Sequence, residues 1–136
     1  MNTRHKKVQV VTVHNDLKAI LLLEMKEDRG FGWQNVTGSV EPEEDIFTAA
    51  KRELLEETSI NAAEIIQLDQ KFEFHDRWNK DVTEYCFLAK TNQKEVIISP
   101  QEHQGYKWVS FDQITKKDFK YESNFIAFQK ALECLD

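Results

Sequence analysis

The sequence predicts an α/β layered domain across residues 1–136. Two observations carry this. β-Branched or alternating runs occur at KVQVVTVH (7–14), KFEFHDRW (71–78) and VTEYCFLA (82–89). Segments of helical periodicity lie between and after them, at 43–58 and 121–135. Strands interspersed with helices indicate layers of helix on sheet.

Lys7 to His14 is rich in β-branched residues and is read as the first strand. A turn over His14–Lys18 leads to the apolar run AILLLEM (19–25), a second, buried strand. Lys26–Gly32 is a polar, glycine-bearing loop, and Trp33–Val40 is extended around Gly38. Pro42 then fixes the chain ahead of a helix expected over Glu43–Thr58. Glu43, Glu44 and Asp45 suit the positive end of its dipole. Ile46, Phe47, Ala50 and Leu54 form its apolar stripe, with Glu53 and Glu57 at the edge and Glu56 further round. Leu55 on the opposite side suggests cover on two faces. Strands at 65–78 and 82–90 form a hairpin joined by Asn79–Asp81. Arg77 and Glu84 fall on that hairpin, and the pattern does not fix their faces. YKWVSF (106–111) is another strand. The last helix takes Ser123 or Asn124 as its cap and buries Phe125, Phe128, Ala131 and Leu132.

The 136 residues suffice for one core and not for two. The net charge is −6, with no basic stripe, so polymeric nucleic acid is not an expected partner. Cys86 and Cys134 form no metal-binding motif and suit a reducing, cytoplasmic setting. No apolar run approaches the ~20 residues that span a bilayer, and no signal-peptide core follows the N-terminus.

Glu53, Glu56 and Glu57 stand at helical spacing i, i+3, i+4. Carboxylates so close repel one another unless a positive charge lies between them. A divalent cation held by hard oxygen ligands meets that need. It would also let an acidic protein handle phosphates, whose charge it otherwise repels.

The segment Gly38–Ile60, GSVEPEEDIFTAAKRELLEETSI, resembles the signature of the Nudix hydrolases, G-x5-E-x7-R-E-U-x-E-E-x-G-U with U aliphatic. Gly38, Glu44, Arg52, Glu53, Leu54, Glu56, Glu57 and Ile60 match it, and Ser59 stands where the last glycine is usual. That glycine favours a left-handed helix cap, which serine adopts at a modest cost. WQNVTGSVE, EHQGYKWV and SNFIAF are similar to the bacterial dihydroneopterin triphosphate diphosphatase branch, which also lacks the final glycine. The resemblance implies an α/β/α sandwich with a central mixed β-sheet. It implies hydrolysis of a nucleoside diphosphate linked to another group, with Mg²⁺ or Mn²⁺ required. Glu53, Glu56 and Glu57 would ligate metal, with the Gly38 carbonyl adding an oxygen. Arg52 would hold a box glutamate in place. The general base would be a box glutamate such as Glu53, or Glu102 on a later loop.

The expected substrate is a small-molecule triphosphate, either dihydroneopterin triphosphate or a purine (d)NTP such as dATP, cleaved to the monophosphate and pyrophosphate. Nucleoside diphosphate sugars or dinucleoside polyphosphates are the alternative within the class. A catalytically silent binding module is the alternative outside it, although such modules usually lose box glutamates. Lys7 and Lys26 are candidate phosphate contacts, and Trp33 and Phe31 candidate stacking partners for a purine or pterin ring. His103 adjoins Glu102, where it could tune a proton transfer, though a dispersed histidine is more often structural. Neither the substrate's ring system nor the oligomeric state is written in the sequence.

Overall fold

Strand β1 (His5–His14) organises the sheet in the computed structural model, which describes residues 4–135. One edge of β1 pairs in parallel along its whole length with β6 (Asp81–Thr91). The other edge is shared. Lys7–Val10 pairs antiparallel with β4 (Val36–Ser39), and Val13–His14 pairs antiparallel with β2 (Ala19–Met25). β2 also holds β3 (Trp33–Gln34) and β7 (His103–Ser110), while β5 (Glu64–His75) pairs antiparallel with β6 at the far edge. The seven strands form one mixed sheet.

Helix α1 (Ile46–Thr58) covers one face and α2 (Glu122–Glu133) the other. Successive side chains of a strand point to opposite faces. Val8, Val10, Leu21, Leu23, Phe87 and Ala89 therefore pack with Ala49, Ala50 and Leu54 of α1. Val11, Val13, Ile20, Leu22, Cys86 and Leu88 pack with Ala127, Phe128 and Ala131 of α2. A sheet covered on both faces accounts for the continuous apolar run of β2. The α/β/α sandwich is the expected one.

Several boundaries differ from the sequence-based expectation. α1 begins at Ile46, because the Asp45 side chain accepts from the Thr48 N–H (2.8 Å) and caps the helix there. Glu43, at φ 68°, belongs to the preceding turn. Phe47 is 47% exposed and edge-on to Phe87, so Ala49 takes its place in the buried stripe. Leu55 is 52% exposed, so α1 is covered on one face only. The first hairpin strand ends at His75, where Asp76 accepts from the backbone of Trp78 and Lys80 and closes the turn. Tyr121 is the N-cap residue of α2, and Asn124 turns inward to bond Asn35. Ser59 ends α1 in the left-handed conformation, its N–H bonded to the Leu55 carbonyl (2.9 Å). No described helix is long and apolar enough to cross a membrane.

Candidate active site

The site is built where α1 crosses β4. Gly38 faces Glu53, and a Cβ at position 38 would coincide with the Glu53 carboxyl group. The glycine is thus required for space, since its backbone is ordinary strand. It lets the helix carboxylate lie directly against the strand backbone.

Arg52 binds this corner together. Its Nε and Nη2 donate to the two oxygens of Glu44 (2.8 and 2.9 Å), a forked pair. Nη1 reaches Glu53 (3.0 Å) and Glu56 (3.2 Å), and Nη2 also donates to the Ser39 carbonyl (2.9 Å). One cation thereby fixes two helix glutamates relative to the glycine strand. The Arg52 hydrogen bonds hold the Glu44 carboxyl down, at a pKa of about 2. Glu56 is the most open of the three helix carboxylates, with 57% of its side chain exposed.

Glu57 has the opposite environment. It is 1% exposed, and neither carboxylate oxygen has a hydrogen-bond partner. Glu102 and His103, from the turn that enters β7, meet it, with one ligand atom from each residue lying within 4.8 Å of the others. His103 Nδ1, also unpartnered, lies 3.7 Å from Glu57 Oε1. Gln34 Nε2 donates to His103 Nε2 (3.2 Å), so the proton of the neutral ring sits on Nδ1, facing Glu57. Burial, with Arg29 nearby, keeps the imidazole neutral by lowering its pKa to about 4. Burial raises the carboxyl of Glu57, reinforced by Glu53, and burial likewise raises that of Glu53.

Orphaned oxygens on a buried carboxylate, beside further carboxylates, are costly unless a cation satisfies them. The donor set is mainly hard oxygen and fits a divalent ion such as Mg²⁺ or Mn²⁺. Glu57 offers the orphaned oxygens, Glu53 and Glu56 stand beside it on α1, and Glu102 approaches from the turn that enters β7.

The Glu57 end of this cluster opens into a cleft of about 860 Å³, within the range of small-molecule sites, whereas Gly38, Arg52, Glu53 and Glu56 lie off its lining. Glu57, Glu102 and His103 line it together with Lys7, Glu84, Asn124 and the hairpin aromatics Phe72, Phe74 and Trp78. Of the candidate substrate contacts, Lys7 is on the cleft wall. Lys26 is not: its carbonyl accepts from Arg29 and Phe31 and shapes the turn that carries Arg29 to the cleft. Trp33 packs on the α2-side core beneath the Lys107 ammonium (4.2 Å), and Phe31 is exposed away from the cleft. Arg29 and the buried role of His103 were not singled out from sequence, and Glu84 was placed on the hairpin without its face. Only the adjacency of His103 to Glu102 hinted at one of them.

An α/β/α sandwich that gathers helix carboxylates beside a glycine strand, next to a substrate-sized cleft, defines a class of metal-assisted hydrolase. The chain belongs to the NUDIX domain family, whose pattern matches residues 3–128. It is a Nudix pyrophosphohydrolase by that membership. It is similar to the dihydroneopterin triphosphate diphosphatase of Escherichia coli (strain K12), with 32% identity over 117 residues and 75% of each chain covered. The Haemophilus influenzae protein of the same name is 30% identical over 141 residues, covering 94% of this chain and 87% of its own. A solved structure of the E. coli dihydroneopterin triphosphate pyrophosphohydrolase superimposes with a TM-score of 0.80 at 28% identity, covering 94% of this chain and 95% of that one.

Proposed function

We propose that the protein cleaves a small-molecule triphosphate, a pterin or purine nucleoside triphosphate, to the monophosphate and pyrophosphate with Mg²⁺ or Mn²⁺. The observation that carries this reading is Glu57, a buried carboxylate with two unpartnered oxygens facing Glu102 across the floor of a substrate-sized cleft. The similarity to the E. coli and H. influenzae diphosphatases supports a triphosphate as substrate.

In this reading Glu53, Glu56 and Glu57, with the Gly38 carbonyl, hold the ions. Bound cations supply charge neutralisation of the phosphate oxygens and a more acidic water. Glu102 accepts the proton of the water as its oxygen attacks phosphorus. The anhydride P–O bond breaks, and its electron pair leaves with pyrophosphate. Arg52 is a positioning residue that keeps Glu53 and Glu56 in place. His103 places an uncharged Nδ1 3.7 Å from Glu57 Oε1 and contributes no charge. Lys7 presents an ammonium to the phosphate chain from the cleft wall.

A panel of substrates with product identification tests this. Pyrophosphate and a monophosphate, formed from triphosphates in Mg²⁺, support the reading. Products without pyrophosphate, formed only from ADP-ribose-like or dinucleoside compounds, contradict it.

A further inference from the structure

Glu84 is a buried carboxylate that the hydrolytic chemistry does not use. It sits mid-sheet on the α2 side, in a row of directly paired residues running Phe72, Glu84, Lys7, Ser39 across β5, β6, β1 and β4. All four line the cleft, as do Phe74 and Trp78 further along the hairpin. Trp78 is 66% exposed, an aromatic plane available beside the cleft.

A chain of buried amides dictates how Glu84 is presented. Asn35 Nδ2 donates both to the Asn124 backbone carbonyl (3.3 Å) and to Gln9 Oε1 (2.8 Å), while the Asn35 backbone N–H donates to Asn124 Oδ1 (2.8 Å). Gln9 therefore has only its Nε2 to turn toward Glu84, and it donates to Glu84 Oε1 (2.9 Å). Gln9 and Asn35 are fully buried and Asn124 nearly so, so the relay is rigid. It ends by offering N–H to the carboxylate, which favours the ionised, acceptor-only form. Burial nonetheless raises the Glu84 carboxyl on balance, with Lys7 and the Gln9 hydrogen bond opposing it.

We propose that Glu84 reads the heterocycle: its carboxylate accepts from the adjacent ring N–H and amino group of a 2-amino-4-oxopyrimidine unit, the donor pair common to guanine and pterin rings. Adenine presents a ring-nitrogen acceptor beside its amine, and that lone pair would face the carboxylate. The phosphate chain then runs toward Glu57 and Glu102 at the other part of the same cleft. The assignment rests on the triphosphate reading for what occupies the cleft, and names the ring that the reading leaves open.

The test compares dGTP with dITP, which lacks only the 2-amino group, in the wild type and in Glu84→Gln. Affinity is measured calorimetrically with Ca²⁺ in place of Mg²⁺, and pyrophosphate release is measured separately with Mg²⁺. A hydrogen bond to a charged group predicts dGTP binding about 10- to 100-fold tighter than dITP in the wild type. In Glu84→Gln the gap closes, while an unchanged melting temperature reports an intact fold. Equal wild-type affinity for dGTP and dITP overturns the assignment without reference to any variant, as does a gap that survives in Glu84→Gln. Dihydroneopterin triphosphate is run beside dGTP. Both lose affinity in the variant, and the tighter of the two identifies whether a pterin or a guanine is the source of the unit. A wild-type dGTP preference that closes in Glu84→Gln, without pyrophosphate release, would contradict the hydrolase reading and support Glu84. Pyrophosphate release with no discrimination would contradict Glu84 alone.

Discussion

The Glu53 carboxyl group occupies the space that any side chain at Gly38 would need. Helix and strand are thus locked in one register by the absence of a Cβ. Gly38→Ala must displace Glu53 or separate α1 from β4. Overpacking of this kind costs about 1–3 kcal/mol, and misplacing a reacting group by an ångström costs about 100-fold in turnover. Thermal melts and steady-state pyrophosphate release check this. An alanine variant with wild-type melting temperature and turnover would show that the contact is not needed.

The Arg52–Glu44 pair gives a pH signature. The folded-state pKa of Glu44, about 2, lies below its ordinary 4.5. Its contribution to stability is therefore fully present above pH 4.5 and is lost as the pH falls through about 2. Melting temperatures recorded over that acid range should fall more steeply for the wild type than for Glu44→Gln, and the two curves should converge at the acid end. Parallel curves would contradict the pairing.

Ser59 holds a left-handed conformation at the end of α1, φ 62°. A residue with a Cβ pays roughly 1–2 kcal/mol for this, and glycine does not. Ser59→Gly should stabilise the fold by about 1 kcal/mol and raise the melting temperature by about 3 °C. Turnover should not change, because the Ser59 N–H already makes the capping bond. A lowered melting temperature would be evidence against strain at this cap.

Glu102→Gln removes the proposed base and keeps the shape of the loop. Loss of a general base lowers turnover by about 100- to 10,000-fold. Mg²⁺ affinity, followed by calorimetry, should remain measurable. A fall of less than tenfold with Mg²⁺ binding intact would move the role of base to Glu53.

The helix carboxylates were legible because the helical period converts spacing into geometry. The period alone places positions 53, 56 and 57 relative to the apolar stripe. Glu84 was not legible in that way. Strand alternation puts it on the same face as Cys86 and Leu88, but with both faces of the sheet covered by helices, alternation does not say which face holds the cleft. The presence of Arg29 on the cleft wall, and the absence of Lys26 from it, have a similar cause. The turn after Lys26 is set by backbone hydrogen bonds to its carbonyl, and a reversal of chain direction sends its neighbour's side chain to the cleft. Trp33 was read from its closeness in sequence to Gly38. Its Cα partner is Glu24, whereas the next residue, Gln34, pairs with Leu23 and reaches His103.

The central claim is that the buried Glu57 centre drives release of pyrophosphate from a triphosphate. The most direct measurement is pyrophosphate and monophosphate formed from dihydroneopterin triphosphate and dGTP, in Mg²⁺ and in chelator, by the wild type and Glu57→Gln. The account predicts equal amounts of the two products in Mg²⁺, none in chelator, and a loss in Glu57→Gln of about 100-fold or more. Undiminished pyrophosphate release in chelator, or in Glu57→Gln, would contradict it.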